Sequence, residues 1–196
     1  MKTSRTLLLT FCTLATLSPA RATTVIPPTF DELVGRAELI FQGTVAKVTS
    51  HWTGEGAQRH IVTYVTLTVD EAIKGDAGAT YTLRLLGGTV GDMTMEVTDA
   101  PKFVIGDRDI LFVENNGTQF VPLVGINHGR FRIQRTSHAD TDVVASDHGD
   151  PVSDLAKLGK EESAKQHEHS AGASEGALRS ADFKAAIRSK LVVAGR

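Results

Sequence analysis

Between Leu39 and Arg135 the chain repeats one pattern: short runs rich in β-branched and aromatic residues, each closed by a turn signal. Side chains of a strand point to opposite faces with period two, so alternating runs of this kind predict half-buried strands. Leu39–Ser50 is rich in β-formers. Ile61–Ile73 alternates Val65, Leu67 and Val69 against Thr66 and Thr68, and Lys74-Gly75-Asp76 breaks it. Tyr81, Leu83 and Leu85 alternate with Thr82 and Arg84 up to Gly87-Gly88. Ile110-Leu111-Phe112-Val113 is a continuous apolar run, the mark of a strand covered on both faces. Asn115-Asn116-Gly117 tolerates positive φ and signals a hairpin into Phe120–Val124. Phe131 and Ile133 alternate with Arg130, Arg132 and Arg135. Five or six such strands predict a mainly β fold, a small barrel or sandwich.

The ends of the chain are unlike this centre. Residues 1–22 read as a signal peptide: Lys2 and Arg5, an apolar run from Leu7 to Leu17, then Ala20-Arg21-Ala22 with small residues where a signal peptidase reads. The apolar run falls well short of the roughly 20 residues a membrane-spanning helix needs. The single cysteine, Cys12, lies in this leader, and bulky Phe11 before it argues against lipidation. Cleavage after Ala22 leaves a chain without disulfides, thiolate metal ligands or a cysteine nucleophile. The expected location is therefore periplasmic or extracellular, with no transmembrane segment in the mature chain. After Pro27-Pro28, Thr29-x-x-Glu32 has the form of a capping box and predicts a short helix from Phe30 to Ala37.

Composition changes again after Arg135. Residues 136–177 hold nine acids against three lysines, four of the seven histidines, no aromatic residue, and only five Val or Leu. Such a stretch reads as a disordered acidic linker, because it buries too little apolar surface to offset the entropy of ordering. Residues 178–196 predict an amphipathic helix, with Ser180 near its start and Phe183, Ile187 and Leu191 on one face. Five bases and one acid leave it strongly cationic, so it either packs back on the β domain or docks on a partner or an anionic surface. The expected organisation is a leader (1–22), a β domain (23–135), a linker (136–177) and a helix (178–196).

Three segments of the β domain carry a resemblance. Ala37-Glu38-Leu39-Ile40-Phe41-Gln42-Gly43-Thr44-Val45 precedes a long strand ending Val69-Asp70-Glu71-Ala72-Ile73-Lys74-Gly75, and Ile105-Gly106-Asp107-Arg108-Asp109-Ile110-Leu111-Phe112 follows later. This order resembles the OB-like barrel of the tissue inhibitors of metalloproteinases and the small exported bacterial domains that look like it, over residues 37–124. The resemblance implies an OB-like barrel of five or six strands and a protein-binding role. The animal inhibitors chelate the protease zinc through an N-terminal cysteine, which the mature chain lacks, so that chemistry transfers to no residue here. Gly87–Val97 also resembles a stretch of uncharacterised exported bacterial proteins, some of which accompany secreted zinc metalloproteases. A secreted zinc metalloprotease is accordingly the partner class the resemblance implies.

Candidate site residues follow from local chemistry. In Gly87–Val97, Gly87, Gly88 and Gly91 permit positive φ or close approach, Thr89 lies among them, and Met93 and Met95 offer adaptable apolar contacts. This segment reads as an interaction loop, or as a glycine-rich turn whose methionines enter the core. His51-Trp52 sits before the turn Gly54-Glu55-Gly56, where Trp52 can anchor a partner or cap the fold, and His60 can approach His51 across the hairpin. His138, His148, His167 and His169, set among acids, form a weak metal-binding candidate. No His-Glu-x-x-His helix, calcium loop or Gly-x-Ser-x-Gly elbow occurs. The β domain holds ten bases against thirteen acids and few aromatics, a balance that disfavours nucleic acid.

The expected function is an exported, non-enzymatic binding protein, without a cofactor, that partners another exported protein. Two other readings stay open: metal binding or buffering through the His/Asp-rich linker, and an enzyme of unrecognised type.

Overall fold

The computed structural model describes residues 26–136, 141–160 and 176–194. The leader and its cleavage site lie outside the described residues, as do His138, His167 and His169.

Helix α1 (Phe30–Arg36) begins where the capping box places it. Thr29 Oγ1 accepts from the Glu32 N–H at 3.3 Å, and the Glu32 carboxylate accepts from the Thr29 N–H at 2.8 Å. Phe30, Leu33 and Val34 turn inward. Its last carbonyls are gathered by one cation: Lys74 Nζ donates to Val34 O at 2.9 Å and to Ala37 O at 2.5 Å. A lysine at the negative end of the helix satisfies acceptors that the helix itself leaves unpaired.

Eight strands follow: β1 (Leu39–Thr53), β2 (His60–Lys74), β3 (Thr80–Leu86), β4 (Gly88–Val90), β5 (Met93–Met95), β6 (Arg108–Val113), β7 (Arg130–Arg135) and β8 (Asp142–Ser146). Six build one antiparallel sheet in the order β3-β2-β1-β6-β7-β8, and β4 and β5 form a separate hairpin. Register shifts at Ile40/Phe41, Gln42/Gly43 and Val45/Lys47 mark irregularities that bend β1, as bulges do.

One face of the sheet, through Ile40, Ile110, Phe112, Phe131, Ile133 and Val144, is buried beneath α1 and the C-terminal helix α2 (Ser180–Ala194). The other face, through Phe41, Val45, Val65, Leu67, Leu83 and Leu111, is covered by loop residues such as Val121, Leu123 and Phe103. Helix α2 packs back on its own sheet. Phe183 and Ile187 are fully buried, and the Phe183 ring lies 4.8 Å from Phe131 and 5.9 Å from Phe30. Its cations are answered by acids of this chain: Lys184 meets Glu71 at 2.6 Å, Arg188 meets Glu71, and Lys190 meets Asp31 at 2.7 Å. Among the described residues no helix is long and apolar enough to cross a membrane.

Two expectations are corrected together. The sheet is not closed into a barrel, and residues 141–160 are not a disordered linker. Strand β8 comes from that segment and pairs with the free edge of β7, so β7 has no edge left to meet β3. The composition of residues 136–177 hid this because its five Val and Leu crowd into 143–158. Val143, Val144 and Val152 are buried, and Leu155 and Leu158 pack against the same core. Asp142 is held by Arg108 at 2.8 Å, which keeps its carboxyl below the usual carboxylate range. Phe120–Val124 also departs from the expected strand. It makes a single bridge, Val113 to Leu123, and otherwise runs as a loop over the sheet.

Candidate functional site

The distal halves of β1 and β2 extend beyond β6, whose pairing with β1 ends at Thr44 while the β1–β2 ladder continues to Thr53 and His60. Across this projecting hairpin lies the β4–β5 hairpin, and two glycines set it there. At Gly87 φ is +94° and at Gly88 +133°, conformations that exclude side chains. A Cβ on Gly88 would overlap Thr63 Oγ1 and lie 2.6 Å from Ser50 Oγ; one on Gly87 would lie 2.7 Å from Met95 O. The close approach is then locked by hydrogen bonds. Gly87 N–H donates to Ile61 O at 2.8 Å, Thr63 Oγ1 donates to Gly87 O at 2.6 Å, and Ser50 and Thr63 share a hydroxyl contact at 2.8 Å.

The structure therefore brings both expected contact segments, His51-Trp52 and Gly87–Val97, to one end of the molecule. Thr89 and Thr94 join across the short hairpin at 3.0 Å, and Gly91 makes its turn with φ +59°. Met93 is 59% exposed, whereas Met95 is half-buried. Trp52 carries the Arg59 guanidinium 4.4 Å above its ring, and His51 lies 6.2 Å from Tyr64. An aromatic ring stacked by a cation is held in one orientation while its free area stays available. His60 shares a sheet face with His51, but its Nδ1 contacts Gln58 O at 2.8 Å, within its own turn.

Of the metal-binding histidine candidates only His148 lies among the described residues. His148 Nε2 accepts from Asn127 Nδ2 at 2.9 Å. Among the described residues no group of three or more His, Cys, Asp or Glu could hold a metal ion.

A second charged centre was not anticipated from sequence. Arg130 on β7 is 1% exposed, yet it is charged and saturated on both terminal nitrogens. Nη2 donates to Asp107 at 2.7 Å and Asp109 at 3.0 Å; Nη1 donates to Asp147 at 3.1 Å and to Lys102 O at 2.8 Å. The Phe103 ring covers it at 4.1 Å. Burial pushes the Asp109 carboxyl up to about 6 against the attraction of Arg130. The open cleft above, about 300 Å³, is lined by Asp99, Lys102, Arg132 and His148 among others. Both terminal nitrogens are spent on the protein while the buried Nε makes no hydrogen bond, so Arg130 fastens the 99–107 loop to the sheet. A signal was present in the sequence: Asp107 and Asp109 alternate as Arg130 and Arg132 do, and the two strands pair. Set against family models, curated proteins and solved structures, the chain matches none.

Proposed function

We propose that this chain is an exported, non-enzymatic binding protein that engages another exported protein through the β4–β5 hairpin and the distal end of β1–β2. A secreted zinc metalloprotease is the partner class implied by the sequence resemblance. One observation carries the reading. Gly87 is locked to Ile61 and Thr63 of β2 by backbone and hydroxyl hydrogen bonds, so that exposed Met93 and the Arg59-stacked Trp52 stand on a common rigid base. Rigid presentation of an adaptable apolar side chain beside an aromatic anchor lowers the ordering cost of binding. The order β3-β2-β1-β6-β7 also supports the OB-like resemblance, since it is that of a five-stranded OB barrel opened between its third and last strands.

The test places a photoreactive benzoyl-phenylalanine at Met93 or, as a control, at Val192, which is exposed on α2. Each chain is illuminated with a purified secreted zinc metalloprotease from the same culture. An adduct formed from position 93, absent from position 192 and lost on Trp52→Ala, is the expected result. Equal adducts from both positions, or none from 93, would overturn the reading.

A further inference from the structure

The outer strands of the six-stranded sheet are closed by the chain itself. At β3, Asn116 Oδ1 accepts from the Arg84 N–H at 3.0 Å, Asn116 Nδ2 donates to Thr82 O at 2.8 Å, and Phe120 O accepts from the Leu86 N–H at 2.7 Å. At β8, Val144 N–H donates to Leu178 O, and Val144 O accepts from Val152 N–H. Covering an edge in this way prevents another strand from adding to it.

Among the described residues the distal part of β1 has no such cover. Val45 is the last β1 residue with a partner on the β6 side, donating to Asp107 O and accepting from Gly106 N–H. Beyond it, among the described residues, β1 pairs with β2 alone. Alternation tells which groups face out. Ile61 O accepts from Gly87 N–H on the β3 side, so Ile61, Thr63 and Val65 bond towards β3 while Val62, Tyr64 and Thr66 bond towards β1. Their β1 partners are His51, Thr49 and Lys47, which leaves the N–H and C=O groups of Val48, Ser50 and Trp52 turned outward.

We infer that this edge is occupied by a second copy of the chain, β1 against β1, in an antiparallel two-fold dimer centred on Ser50. Three observations select a second copy over an unrelated strand. The open edge runs from Lys47 to Thr53, and Ser50 is its midpoint, so the two-fold register uses the whole edge of both copies. That register is self-complementary. Val48 faces Trp52 of the second copy, Thr49 faces His51, and Lys47 faces Thr53, giving aromatic–aliphatic and polar pairs with no like charges opposed. It also brings the hairpin tip of each copy against the Val104–Gly106 turn of the other. Val104 and Ile105 are 63% and 65% exposed there, and Gly106 lies beside Val45 where the open edge begins. The dimer leaves the Gly91–Met93 tip of the β4–β5 hairpin uncovered, whereas distal β1, Trp52 included, is common to the dimer edge and to the partner contact proposed above.

Sedimentation velocity of the purified chain, together with disulfide trapping, tests this. In a Cys12→Ser background, Thr49→Cys and His51→Cys chains are prepared separately. These positions form a non-hydrogen-bonded pair across the two-fold, with Cα atoms about 4.5 Å apart, within disulfide reach. The expected results are a species of twice the chain mass, rapid cross-linking when the two cysteine chains are mixed, and little from either alone. Thr49→Lys with His51→Lys opposes like charges at exposed or half-exposed positions and should weaken the dimer at least tenfold with an unchanged far-UV spectrum. A wild-type chain that sediments as a monomer at high micromolar concentration overturns the inference. So does cross-linking of either cysteine chain alone as fast as the mixture, or a lysine variant that stays dimeric.

Discussion

Arg130 shows how one residue can organise a loop. A buried guanidinium is costly unless its donors are matched; here three carboxylates and a carbonyl take up the two terminal nitrogens and an aromatic face covers the group, while Nε makes no hydrogen bond. The cost falls on Asp109, whose folded-state carboxyl titrates near 6 because burial outweighs the attraction of Arg130. An acid with a raised folded pKa contributes stability that is complete below its unfolded value near 4 and is lost as pH rises through 6. We therefore expect Asp109 to cost the native state about 3 kcal/mol between pH 4 and pH 7. Asp109→Asn should flatten that part of the profile in urea unfolding at pH 4, 5.5 and 7. Glu71 and Asp142, whose carboxyls are lowered by Lys184 and Arg108, act with the opposite sign and only below about pH 4. The alternation of Arg130 and Arg132 with Phe131 and Ile133 was legible in the sequence as a strand, but its partnership with Asp107 and Asp109 was not. That partnership depends on the pairing of β6 with β7 and on the loop that carries Phe103 over Arg130.

At the scale of elements, the β4–β5 hairpin depends on its glycines to different degrees. Gly88 faces Thr63 and Ser50 with no room for a methyl group, whereas a Cβ on Gly91 would meet nothing within 4 Å. Gly88→Ala should destabilise the chain by about 2 kcal/mol or more and free the hairpin from the sheet. Gly91→Ala should cost about 1 kcal/mol, from its positive φ alone. Urea midpoints and amide exchange at Gly87–Met95 measure both. The sequence marked this segment as unusual and named its residues, since three glycines in five have few other uses. It could not say that the hairpin is seated against Ser50 and Thr63, because that contact joins segments whose spacing carries no period. The same limit explains β8. Its strand-like triplet Val143-Val144-Ala145 was outweighed by acidic surroundings, and what makes it a strand is the vacant edge of β7.

For the whole molecule, α2 completes the domain rather than trailing from it. Phe183 touches the Phe30, Phe112 and Phe131 rings, so it ties the last element to the first helix and to two central strands. Phe183→Ala should cost about 3–5 kcal/mol, the usual loss for a fully buried phenylalanine, seen as a lowered Tm with a single cooperative transition. If the helix instead belonged to a partner, the same change would leave the Tm nearly unaltered. Local physics was enough for some features. Period-two runs, the Thr29–Glu32 capping box and the Phe183–Ile187–Leu191 stripe placed strands and helices from sequence alone, because propensity and burial pattern act within a few residues. The open sheet, the pairing of β8, the Arg130 centre and the seating of the β4–β5 hairpin against β1 and β2 were decided only in the tertiary structure. Each depends on which edge or face another segment reaches first, and that competition is settled by long-range packing that no local pattern encodes.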